Sequence, residues 1–201
     1  TSVPFLTEDG VSKAYPLNEH YRTPAMEQLA KQGLRFERFY ANSVCSPSRV
    51  SLITGQNSAR HRTTQWINPY NRNADRYAPT DWNWEGLREN SVTLPNLLSN
   101  AGYHTIHVGK AHWGPIDYYG SDPLRIGFDR NVAGAAWGRP GSYYGAQNFT
   151  NPQQLRQPPH LEAYHGEDVH LTEAVTNEMI KLLDSADSTD EPIFALMAFY
   201  A

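Results

Sequence analysis

The chain has 201 residues, a formal net charge of -4 and 39% hydrophobic residues. That length holds one large domain or two small ones, with roughly two-thirds or more of the unfolded surface buried on folding. The charge leaves no basic footprint for nucleic acid; no apolar run reaches the ~18 residues of a spanning helix; and the single cysteine excludes an internal disulfide framework or a Cys-rich zinc site.

In chain order, Thr23-Pro24 reads as N-cap and first helical residue. Met26, Leu29 and Ala30 keep helical spacing and Gly33 stops the helix. Leu34 to Tyr40, rich in Phe and Tyr, predicts a strand. Ser48 to Thr54 predicts a helix closed by Gly55. Residues 60–92 lack periodicity and read as surface loops. Thr93 caps a helix over Leu94 to Asn100, and Gly102 ends it. His104 to Val108 predicts a short strand leading into Gly109-Lys110. Residues 114–165 hold most of the Gly, Pro, Tyr and Asn and read as a long functional loop region. Leu171, Val175, Met179 and Leu182 share one helical face, and Ile193 onward predicts a buried strand. Such alternation points to an α/β fold with a mostly parallel sheet flanked by helices. Ligands in such sheets sit at the carboxyl ends of strands. Cys45 and Lys110 each follow a predicted strand, so one rim is expected to hold both. The apolar run at the end and the opening Thr1-Ser2-Val3-Pro4 lead us to expect a piece of one catalytic domain, cut at both ends.

The stretch Val44-Cys45-Ser46-Pro47-Ser48-Arg49 carries the only cysteine. A residue entering a helix faces free backbone N–H groups and the positive end of the dipole, which together bind anions. Arg49, one turn on, adds a fixed cation that forks onto an oxyanion. Residue 45 then reads as a nucleophile facing an anionic substrate. A buried structural cysteine at a helix start satisfies the same residues.

Cys45-Ser46-Pro47-Ser48-Arg49, followed by Ser51-Leu52-Ile53-Thr54-Gly55, resembles the signature of the type I sulfatases. Val108-Gly109-Lys110-Ala111-His112-Trp113-Gly114 resembles that family's second signature, Gly-Lys-x-His-x-Gly. Weaker likeness covers most of residues 20–201. The resemblance implies the alkaline-phosphatase-like fold and hydrolysis of a sulfate ester. It implies that a maturation enzyme converts Cys45 to formylglycine, whose hydrate supplies one hydroxyl to attack sulfur and another to expel sulfate. By the same resemblance Arg49 stabilises the hydrate, Lys110 binds sulfate, and His112 positions or deprotonates the nucleophile. Ser48 serves the maturation enzyme or caps the helix.

The family also holds a divalent cation, usually Ca²⁺, on Asp, Asn or Gln side chains and the modified Cys45. We expect its Asp pair upstream of Thr1. Asp9 in Glu8-Asp9-Gly10 is a weaker candidate, because Pro4 breaks the strand that would precede it. The later ligand pair, a second Lys and a leaving-group His are expected beyond Ala201. A sulfated glycan is the preferred substrate over an aryl sulfate, and the location implied is periplasmic or extracellular. Rival readings are a phosphodiesterase or phosphonate monoester hydrolase of the same superfamily, and an inactive glycan-binding relative. Trp82, Trp84 and Trp137 read as packing residues, with stacking on sugar as the alternative. His165 to His170 reads as a solvated helix lead-in. His61 and Arg62 are candidates to line the pocket, and Asn148-Phe149-Thr150 is a glycosylation sequon.

Overall fold

The computed structural model describes residues 22–34, 36, 38–70, 78–186 and 190–200. The chain divides into two compact units, Thr1–Ala41 and Asn42–Ala201. In the first, helix α1 runs Pro24–Gln32, as its Pro start and closing Gly33 predict. The strand expected over Leu34 to Tyr40 is absent among the described residues. Phe36, Phe39 and Tyr40 are exposed there. Aromatic content favours a strand only where a neighbour pairs the backbone, and no ladder among the described residues includes these.

The second unit is built on three parallel strands in the order β2-β1-β3: β1 His104–Gly109, β2 Arg130–Val132 and β3 Ile193–Ala198. β1 is central, with Ile106 opposite Arg130 on one side and Ala195 on the other. β2 lies inside the expected loop region. Its three residues, Arg-Asn-Val, carry no alternation to read, and pairing with β1 alone makes them a strand.

The period-2 alternation of the strands divides the core. Ile106 and Val108 of β1 face a cluster with Phe149, Leu161 and, from helix α5 (Leu171–Ala186), Leu171, Ala174, Val175 and Met179. Phe194 and Leu196 of β3 face a second cluster, which holds Val50 and Ile53 of helix α2 (Cys45–Thr54) with Leu87, Trp113, Ile126 and Phe128. The sheet is therefore covered on both faces, as parallel sheets require. Thr105 and His107 point to the α2 side, and both are fully buried.

Helix α2 starts three residues earlier than expected, at Cys45, and ends at Gly55 in a left-handed conformation (φ 67°). A single turn, α3 (Ser58–His61), follows; Asn57 caps it by accepting from the Arg60 N–H at 3.0 Å. Helix α4 covers Leu94–Asn100. The chain leaves β1 through Gly109 at φ 100°, where a Cβ would lie 2.0 Å from the Ala198 carbonyl oxygen. Only glycine passes there, and the next N–H, on Lys110, donates to that same oxygen at 2.7 Å. No helix among the described residues is long and apolar enough to cross a membrane.

Candidate active site

Cys45 opens α2, and its neighbours fix the loop that delivers it. Ser48 Oγ accepts the Asn42 N–H at 2.9 Å and lies 3.1 Å from the Val44 carbonyl. It ties the entering loop to the first turn. Ser46 Oγ, buried, accepts the Ile67 N–H at 3.1 Å. Cys45 follows no strand among the described residues, so the shared rim does not arise from two strand ends. It arises because the turn after β1 is bonded directly to α2.

That turn carries Lys110 and His112. His112 Nδ1 lies 3.3 Å from the Cys45 sulfur, and its Nε2 lies 2.8 Å from the Ile67 carbonyl oxygen. A carbonyl only accepts, so Nε2 carries the hydrogen and Nδ1 presents a lone pair to residue 45. Burial, with the charges of Lys110 and Arg49, lowers the His112 pKa to about 4. The ring is thus a neutral acceptor at neutral pH. His112 itself sits at φ 59°, a conformation that costs a non-glycine residue on the order of 1–3 kcal/mol. Its N–H donates to the Ala135 carbonyl at 2.9 Å. A Cβ at Gly138 would stand 2.8 Å from Nδ1, so glycine leaves room for the imidazole.

Arg49 is the bolt of the site. Its Nε donates to the Ala111 carbonyl at 2.5 Å and its Nη2 to the Lys110 carbonyl. Its guanidinium lies 5.4 Å from the centre of the Trp113 ring. Burial lowers its pKa to about 10, while Tyr200 and Cys45 act to raise it. The Lys110 ammonium is held below its ordinary pKa by burial first; Cys45 raises it and Arg49 lowers it. No carboxylate among the described residues pairs with either cation. Two cations and a neutral imidazole around residue 45 make a place for an anion.

Sequence reasoning missed His107. It lies beneath the turn, with Nδ1 2.9 Å from Asn131 Oδ1 and Nε2 3.2 Å from the Lys110 carbonyl. Both nitrogens face acceptors, so a neutral ring satisfies one and a protonated ring both. Burial prevails and lowers the pKa to about 4. The signal was a polar residue between Ile106 and Val108 on a buried strand. Because the folded pKa lies below the ordinary 6.5, the unfolded chain binds the extra proton between pH 6.5 and 4. Stability is therefore complete above pH 6.5 and is lost as pH falls through that window, by about 3 kcal/mol for this ring. Urea midpoints measured across the window should fall with pH, and His107→Gln should flatten the slope. An unchanged slope would assign it to other groups.

Other expected residues lie elsewhere. His61 Nδ1 accepts the Thr63 N–H at 3.1 Å, and its Nε2 donates to Ser51 Oγ at 2.9 Å, bracing α3 on α2. Arg62 pairs with Asp81 at 3.5 Å, exposed. Trp84 packs on Tyr118. His170 Nδ1 accepts the Thr172 N–H at 3.1 Å at the start of α5, as a helix lead-in should. Asn148 is exposed, in a left-handed conformation (φ 53°).

Among the described residues no three His, Cys, Asp or Glu side chains come together to hold a metal ion. The guanidinium, ammonium and imidazole around Cys45 do not suit a hard cation that takes oxygen ligands. The Asp9 candidate lies outside the described residues.

The sulfatase family model matches residues 5–201. N-acetylgalactosamine-6-sulfatase of Mus musculus is 30% identical over 200 residues, which cover 89% of this chain and 35% of that protein. The Homo sapiens protein of that name is 36% identical over 146 residues, covering 71% of this chain and 24% of its own. The chain spans about a quarter to a third of the length of such relatives. Among solved structures, PsFucS1 sulfatase from Pseudoalteromonas sp. aligns with a TM-score of 0.58 and 21% identity, over 89% of this chain and 38% of that one. Ps i-CgsB in complex with k-i-k-neocarrahexaose aligns with a TM-score of 0.54 and 22% identity, over 79% and 35%. These likenesses show a shared fold, the alkaline-phosphatase-like α/β fold in which a parallel sheet carries helices on both faces. With nearly the whole chain matched and both signatures in place, this chain belongs to the sulfatase family.

Proposed function

We propose that the complete protein hydrolyses a sulfate ester on a carbohydrate through a formylglycine made from Cys45. One observation carries this reading: a lone cysteine at a helix start meets a neutral histidine lone pair 3.3 Å away, between two cations. A thiol that attacked sulfur would form an adduct with no easy exit. An aldehyde hydrate at the same place has one. One hydroxyl attacks sulfur, the bond from sulfur to the alcohol oxygen breaks, and the alcohol leaves with a proton. The second hydroxyl then loses its proton, the bond from carbon to the sulfated oxygen breaks, and sulfate departs as the aldehyde re-forms. Water restores the hydrate.

His112 Nδ1 orients the attacking hydroxyl and accepts its proton. Lys110 draws the sulfate oxygens with a compact charge. Arg49 holds the turn carrying both and adds its charge to the field. The acid for the leaving alcohol, and the oxygen ligands of a Ca²⁺ ion that would neutralise sulfate charge, belong to parts of the protein outside the described residues. A maturation enzyme that removes the sulfur and oxidises Cβ is the partner implied, and a periplasmic or extracellular location follows from the class. The carbohydrate substrate is supported by the relatives named N-acetylgalactosamine-6-sulfatase and by the structural neighbour solved with k-i-k-neocarrahexaose, while relatives named arylsulfatase J and arylsulfatase D keep an aryl sulfate as the alternative.

The test is peptide mass spectrometry across residue 45, on complete protein made in a host with the maturation enzyme. A panel of sulfate monoesters, phosphodiesters and phosphonates should accompany it. Formylglycine with preferential sulfate release is the expected result. Unmodified cysteine beside a matured control sulfatase would overturn the mechanism. Preference for phosphodiesters or phosphonates would move the protein to the rival hydrolase class.

A further inference from the structure

We propose that Trp66 forms the wall against which the sugar ring of the substrate stacks. This rests on the sulfatase reading above and names the residue that recognises the alcohol part of the ester. Of the five tryptophans, Trp113 is fully buried, Trp82, Trp84 and Trp137 are partly buried, and Trp66 alone is exposed, at 41%. The tryptophans singled out from the sequence as alternatives for stacking are thus less exposed than Trp66. The Trp66 ring meets the His112 ring edge-on, with centroids 6.1 Å apart and planes at 63°. The same imidazole reaches the Cys45 sulfur with Nδ1. The exposed indole thus stands one side chain away from the reacting position.

The loop that presents it is held at several points. The Ile67 N–H donates to Ser46 Oγ at 3.1 Å, beside the nucleophile position. The Ile67 carbonyl accepts from His112 Nε2 at 2.8 Å. Ile67 is itself fully buried. Farther along, the Pro69 carbonyl accepts the Ile116 N–H at 2.9 Å. Tyr70 Oη accepts from Arg156 Nε at 3.2 Å, with the guanidinium 5.6 Å from its ring centre. Backbone and neighbours are fixed while the indole stays open, an arrangement that lowers the ordering cost of binding. A flat apolar face with a polar N–H suits the C–H face of a pyranose. The two cations take the sulfate, and the indole takes the ring that carries it. The same loop also fixes the His112 tautomer through the Ile67 carbonyl, so the specificity wall and the proton acceptor are mechanically one piece.

The test uses the complete protein carrying Cys45→Ala, which binds without turning over. Calorimetry would compare N-acetylgalactosamine 6-sulfate, phenyl sulfate and inorganic sulfate, with and without Trp66→Ala and Trp66→Phe. Trp66→Ala should weaken the saccharide about tenfold more than it weakens inorganic sulfate, and Trp66→Phe should recover most of that difference. Equal weakening of saccharide and inorganic sulfate, or no weakening of the saccharide, would overturn the wall. Loss confined to phenyl sulfate would overturn the choice of a sugar. Because binding is read without catalysis, failure of the hydrolase reading is separable: matured protein inactive on every sulfate ester, with saccharide binding still dependent on Trp66, sinks the hydrolase and keeps the wall.

Discussion

Cys45→Ser, in complete protein, is expected to arrest the reaction halfway. Serine places one hydroxyl where the hydrate has two, on the same first residue of α2 and within reach of His112 Nδ1. That hydroxyl can attack sulfur, so one alcohol is released. No second hydroxyl remains to expel sulfate, and the protein should accumulate with one SO₃ group on residue 45. Steady-state turnover should fall on the order of a thousandfold or more, as for other lost nucleophiles. Cys45→Ala should lose turnover equally but carry no SO₃, having nothing to attack with. Intact-protein mass after incubation with substrate separates the two variants. Near-normal turnover in either would sink the mechanism, and a Cys45→Ser protein that never gains SO₃ would show that residue 45 does not attack sulfur. Folding should be little affected, because the Cys45 side chain is only partly buried and serine keeps a polar group within reach of His112 Nδ1.

Much of this architecture was legible because local chemistry and tertiary packing agree. Pro24 and Gly33 bound α1, Thr93 and Pro95 start α4, and the apolar face of α5 recurs at the spacing the core requires. The two signature stretches were expected on one rim because each was to follow a strand; only the second does among the described residues, and their nearness comes from the bonds of Arg49 to the Lys110 and Ala111 carbonyls. Other features had no local trace. The stretch Leu34 to Tyr40 has strand composition, but its described residues form no strand. β2 has a partner and no composition, so it was invisible. His107 appeared as one polar residue in an apolar strand; only the sheet showed that its side faces Asn131 and the carbonyl of Lys110. Trp66 sat in an aperiodic stretch with two other tryptophans, and nothing in the order of residues marked it as the exposed one. Its place depends on long-range bonds from Ile67 to Ser46 and His112, which sequence spacing does not encode.

Arg49 shows how far a role read from a motif can differ from the geometry that supports it. The sequence suggested a cation aimed at the hydrate. The structure gives its hydrogen bonds to two consecutive carbonyls, Lys110 and Ala111, and its face to Trp113. Its charge still acts on the site, since Cys45, Lys110 and His112 all feel it. Its donors, however, bolt the second signature to the helix of the first. Arg49→Lys keeps the charge and loses the planar fork, so one carbonyl is left without a donor and the stacking is lost. Removal of one partner from a buried charged group costs about 3 kcal/mol. Arg49→Lys should therefore lower the urea midpoint nearly as much as Arg49→Ala, and both should cut kcat/KM about a hundredfold as Lys110 and His112 lose their register. If Arg49→Lys instead kept both stability and kcat/KM within about twofold of the parent, charge alone would suffice and the two carbonyl bonds would carry no function. If it kept stability and lost only kcat, the fork would act on the reacting group, and the bolt would be the lesser part of its role.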